Sequence, residues 1–87
     1  MKQVKLTIKG IVQGVFFRAF VKREAEGLKG YVKNLEDGTL EVVAQGTEEQ
    51  IDKLIEACKK GPEGSKVDEV EVEEQETEAL ADFHIQL

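Results

Sequence analysis

Apolar residues occupy every second position from Val4 to Ile8, with Lys5, Thr7 and Lys9 between them. That alternation predicts a strand over residues 3 to 9 with one buried face. Phe17, Phe20, Val21 and Ala25 then fall at i, i+3, i+4 and i+8. This spacing marks one face of a helix from residue 17 to 27, with Gly27 as its stop. Period two returns in Leu28 to Asn34, which sets Gly30, Val32 and Asn34 against Lys29, Tyr31 and Lys33. Leu35-Glu36-Asp37-Gly38 reads as a hairpin connection, because Asp-Gly supplies the positive φ that tight turns need. Thr39 to Gln45 is the antiparallel partner strand, with Leu40, Val42 and Ala44 on its inner face. Thr47 caps a second helix and Gln50 closes a capping box with it, while Ile51, Leu54, Ile55 and Cys58 form the helix's buried stripe. Lys59, Lys60, Gly61 and Pro62 end it. Val67 to Glu73 alternates valine with acid and predicts a fourth strand, with Val70 and Val72 facing in. Glu74 to Asp82 reads as a solvated loop, and Phe83 to Leu87 as an optional fifth strand at an edge.

The order β-α-β-β-α-β predicts an α+β fold, a ferredoxin-like split βαβ sandwich. Its antiparallel sheet would carry two helices on one face and leave the other wet. Residues 1–87 form a single domain in this reading, since no repeat or long linker divides them.

Composition narrows the functions. Twelve basic and eighteen acidic residues give a net charge of -6, against the basic face that nucleic acids require. No apolar run approaches the roughly 20 residues of a membrane span, and the first ten residues lack a signal-peptide block, so a cytoplasmic protein is expected. A single cysteine and a single histidine offer neither a disulfide nor a zinc cluster. No metal or cofactor is expected.

The chemistry concentrates in Gly10 to Arg18, GIVQGVFFR, where strand gives way to helix. Glycines at 10 and 14 let a turn aim several main-chain N–H groups at one point, and a helix N-terminus adds unpaired donors and the positive end of its dipole. Arg18 contributes a guanidinium fork suited to a tetrahedral oxyanion. The stretch reads as a phosphate cradle. Asn34 ends the second strand, and that strand and the first are both candidates to finish near the first helix's N-terminus. Its amide carries both a donor and an acceptor, so it can hold a water molecule without removing a proton from it. Phe17 and Phe20 are expected in the core, whereas for Phe16 packing and substrate contact stand as equal alternatives. Cys58 is read as a small buried hydrophobe and His84 as an outward strand residue.

These residues carry a resemblance. Gly10 to Arg18 is similar to the acylphosphatase signature G-x-V-Q-G-V-x-F-R, and Gly30 to Gly38, GYVKNLEDG, to its second signature G-x-V-x-N-x-x-D-G. The resemblance implies hydrolysis of the carboxyl-phosphate anhydride of small acyl phosphates to a carboxylate and inorganic phosphate, without metal or phosphoenzyme. Carried over by residue, Arg18 and Asn34 would be catalytic, Arg18 on the phosphoryl oxygens and Asn34 on the attacking water. The backbone of Gln13, Gly14, Val15, Phe16, Phe17 and Arg18 would bind phosphate. The expected partner is a small-molecule acyl phosphate, with no nucleic acid and no membrane, and the expected state is a monomer. Ile11 stands where the family often has arginine, Phe16 where it often has glycine, and the end FHIQL lacks a frequent basic residue. The alternative reading is a noncatalytic phosphate- or acyl-phosphate-binding or accessory module, since similar domains occur inside larger proteins that transfer carbamoyl groups. An RNA-recognition module would need exposed aromatics on the central strands, where Lys5, Thr7, Lys9, Glu41, Val43 and Gln45 stand instead.

Overall fold

A computed structural model describes residues 1–87. Its elements follow in the order β1 (Lys2–Ile11), α1 (Phe17–Glu24), β2 (Lys29–Asn34), β3 (Leu40–Gly46), α2 (Glu48–Lys60), β4 (Lys66–Gln75) and β5 (His84–Ile85). The strands make one sheet in the order β4-β1-β3-β2-β5, which is the ferredoxin-like arrangement with a fifth strand added at one edge. Pairing is antiparallel except between β2 and β5, which run parallel. Because β3 opposes both β1 and β2, those two strands run in the same direction and finish at the same end of the sheet. Ile8, Leu40 and Asn34 stand in one row across it.

The alternating side chains explain the packing. Val4, Leu6, Ile8, Val32, Leu40, Val42 and Ala44 share one buried cluster with Phe17, Val21, Ala25, Ile51, Leu54 and Cys58 from the helical segments. Each fully buried side chain of this kind is worth about 1.5–3 kcal/mol of transfer free energy. Helix α2 starts where its cap dictates: the Gln50 amide donates to Thr47 Oγ1 at 3.1 Å, and Thr47 N–H donates to Gln50 Oε1 at 2.9 Å. Burial, and secondarily Glu24, push the Cys58 thiol up to about 12, so this cysteine is a core residue rather than a nucleophile.

Four local features differ from the reading of the sequence. Strand β1 continues through Gly10 to Ile11, so the turn occupies only residues 12 to 16. The register against β4 shifts between Lys9 and Gly10, and a Cβ at Gly10 would lie 2.0 Å from Lys66 O. Close backbone approach at a bulge is why glycine stands there. Helix α1 stops at Glu24, before Gly27, because Ala25 leaves helical geometry and the chain turns to bury Leu28. Val72 lies on the inward side of β4 but is 48% exposed, since β4 is an edge strand that neither helix covers at that position.

The fourth difference concerns the outer face of the sheet, which is partly covered rather than wet. To reach β5 from β4, residues 76 to 83 pass from one edge of the sheet to the other. Gln75, Gln3, Gln45 and Lys29 form a cross-strand row beneath this crossing segment. Gln3 Nε2 donates to Gln75 Oε1 at 2.9 Å, Gln45 Nε2 to Gln3 Oε1 at 3.1 Å and to Glu78 O at 2.7 Å, and Glu78 N–H to Gln3 Oε1 at 3.1 Å. Thus both glutamines are buried yet satisfied. The crossing ends at Gly30, whose N–H donates to Ala81 O at 2.9 Å, and at the Lys29–Asp82 ion pair. No helix is long and apolar enough to cross a membrane.

Candidate active site

The turn between β1 and α1 is built for unpaired donors. Gly14 has φ 74°, and Phe16, immediately before the helix, has φ 60° and ψ 22°. A left-handed backbone costs a non-glycine residue on the order of 1–3 kcal/mol, which gives the physical reason why glycine suits position 16. No side chain caps α1. None of the turn, loop and cap hydrogen bonds is donated by a main-chain amide of residues 14 to 19. Donors left unpaired at the positive end of a helix favour an anion.

A cleft of about 330 Å³ lies at this point, lined by Val12, Gly14, Phe16, Phe17, Arg18, Ala19, Asn34, Ile85 and Leu87. Arg18 is the one charged side chain among them. It belongs to none of the ion pairs of the molecule, which join other residues, so its guanidinium is not committed to a carboxylate. Asn34 reaches the cleft from β2, on the helix-covered face that it shares with Val32. Its Oδ1 is buried and has no hydrogen-bond partner. A buried acceptor left unpaired costs about 1–3 kcal/mol.

Arg18 and Asn34 therefore line one cleft, as do Gly14, Phe16 and Phe17 of the expected cradle. Gln13 and Val15 do not line the cleft. Val15 packs against the core, and the Gln13 side chain turns toward the β2–β3 hairpin. There its Nε2 donates to Leu35 O at 2.8 Å and to Thr39 O at 2.9 Å. The hairpin is closed on itself, with Leu35 N–H on Thr39 O at 2.9 Å and Asp37 Oδ1 accepting from Thr39 Oγ1 and N–H. Those two bonds from Thr39, the hydroxyl's first, hold the Asp37 carboxyl below the usual carboxylate range. One amide thus ties the β1–α1 turn to the loop that begins one residue after Asn34. This clamp was not foreseen, and its only trace in the sequence is a glutamine of the right length in a turn. Ile85 and Leu87, the C-terminal wall of the cleft, were likewise missed as site residues, because β5 reaches the cleft only through the crossing segment.

Residues 4–85 match the acylphosphatase family. An acylphosphatase of Caldivirga maquilingensis is 50% identical over 74 residues, covering 82% of this chain and 78% of that protein. Among solved structures, the acylphosphatase from Bacillus subtilis superposes with a TM-score of 0.96 at 40% identity over 100% of both chains. The HypF protein of T. kodakarensis contains a similar unit, with a TM-score of 0.82 and 41% identity, covering 98% of this chain and 12% of that one.

Proposed function

This chain belongs to the acylphosphatase family, and from that premise we propose that it hydrolyses small acyl phosphates by direct attack of water. Arg18 and the amides of the turn hold the phosphoryl oxygens, and Asn34 orients the nucleophile. The water oxygen bonds to phosphorus as the phosphorus–acyl oxygen bond breaks. The acyl oxygen keeps that electron pair and departs as a carboxylate, and the water proton passes to solvent. A carboxylate leaves without needing protonation, so the loose transition state asks mainly for charge stabilisation and alignment. The cleft supplies those two things: one uncommitted guanidinium, unpaired amides and an uncharged amide side chain. No His, Asp, Glu, Lys, Cys or Tyr side chain lines it, so turnover should be nearly flat between about pH 5.5 and 8.

The observation that carries this reading is the shared cleft, which Arg18 and Asn34 both line, with the Asn34 Oδ1 left unpaired. Phosphate release from benzoyl phosphate, with and without a chelator, tests it. Asn34→Ala should lower kcat by about one to two orders of magnitude, the scale of leaving the nucleophile unaligned, while inhibition by inorganic phosphate stays unchanged. Equal loss of both would remove Asn34 from the water-orienting role. The second reading, a noncatalytic acyl-phosphate-binding module, draws on the similar unit within HypF. It predicts phosphate binding with no turnover in the same assay.

A further inference from the structure

The lining of the cleft mixes two chemistries. Arg18, Asn34 and the turn amides are its polar groups, here the floor, while Val12, Phe16, Ile85 and Leu87 are apolar residues without a charged side chain, here the wall. Phe16 is 87% exposed and Leu87 fully so, which puts two of the five exposed large apolar side chains of the molecule on this one cleft. Single exposed apolar residues are ordinary, but a pair beside a polar site marks a contact surface.

Phe16 carries a second peculiarity, as the one non-glycine residue of the chain with positive φ. Glycine would hold that backbone without steric cost, and the ring, 87% exposed, gains little packing in return. A bulky ring kept strained and solvent-facing at a cleft is accounted for by contact with something other than this chain. An acyl phosphate has two parts, and the floor takes the phosphoryl group. The acyl group is left to the wall, where no side chain could recognise a carboxylate or an ammonium on it.

Resting on the hydrolysis proposed above, we infer that Phe16, supported by Leu87, is a specificity-determining residue that selects acyl phosphates with an apolar, and best an aromatic, acyl group. The aromatic face offers offset or edge contact to a planar acyl group and little to an acetyl group. The test compares benzoyl with acetyl compounds in two ways: turnover of the two acyl phosphates, and calorimetric binding of the nonhydrolysable benzoylphosphonate and acetylphosphonate. The protein should bind the benzoyl analogue at least about fivefold more tightly, the size of one aromatic contact. Phe16→Gly should bring that ratio close to one, and Leu87→Ala should lower it about twofold. Phe16→Ala, which keeps a side chain on the same backbone, should behave as Phe16→Gly does. Because the ratio is internal to each variant, a loosened turn that weakens both analogues leaves it unaffected.

A ratio that is unchanged in both Phe16 variants, or no discrimination in the unsubstituted protein, overturns the inference. If both acyl phosphates are hydrolysed and both analogues bind equally, the wall is lost and the hydrolysis stands. If the analogues are distinguished but neither acyl phosphate turns over, the hydrolysis is lost and the wall stands.

Discussion

The turn at residues 12 to 16, with the start of α1, and the crossing segment at 76 to 83 lie on opposite sides of one sheet and treat polar groups in opposite ways. Beneath the crossing, Gln3 and Gln45 are buried and spend their amides on each other, on Gln75 and on Glu78. At the turn, amides, a guanidinium and the Asn34 oxygen are held without partners, and Phe16 keeps a left-handed backbone. Satisfied polar groups fix a structure, whereas unsatisfied ones in a cleft bind what enters it at a cost the rest of the fold must offset. The turn can carry its cost because Gln13 clamps it to a hairpin that closes on itself through hydrogen bonds of its own.

If the two regions are this different, substitutions should separate activity from stability. The largest effect is expected at Arg18. Arg18→Ala removes charge-assisted bonds worth on the order of 1.5–3 kcal/mol each and should lower kcat/KM by at least about a hundredfold, with an unchanged melting temperature because no ion pair is broken. Lysine should restore little, since it lacks the planar fork. Full turnover in Arg18→Ala, measured by phosphate release, would sink the assignment. Next comes Gln13→Leu, which takes the clamp from Leu35 O and Thr39 O. It should cost about 1–2 kcal/mol in stability and roughly tenfold in kcat through a displaced Asn34, with phosphate inhibition retained. A variant that loses stability alone would show that the hairpin holds Asn34 unaided. The smallest effect on turnover is expected from Gln45→Leu, which leaves Glu78 O without its side-chain donor and should cost about 1–3 kcal/mol of stability. Its kcat/KM well below the melting temperature should match that of the unsubstituted protein. A collapse of activity there would show that the crossing segment and the cleft are one unit, joined through Ile85 and Leu87.

Several parts of this architecture were legible because their causes lie within a few residues. Alternation in Val4 to Ile8 needs no partner to reveal its buried face, the Thr47 and Gln50 bonds span three positions, and Asp37-Gly38 encodes its own turn. The turn into α1 was legible for the same reason, since glycine, helix start and arginine follow one another. The clamp was not, because a glutamine signals nothing about carbonyls 22 and 26 residues away. Nor was Val72, whose period-two position is inward but whose exposure depends on β4 lying at the sheet's edge.

The sequence by itself determined the element order, the core faces and a glycine turn running into a helix start, because helix and strand periodicity and turn chemistry are properties of neighbouring residues. The element order made Asn34 a candidate neighbour of that turn, and the tertiary structure brought it into one cleft with Arg18 through two strands made parallel by their common neighbour β3. It also decided that the C-terminal segment crosses the outer face to wall that cleft, since which distant polar groups find partners is settled by packing and leaves no pattern along the chain.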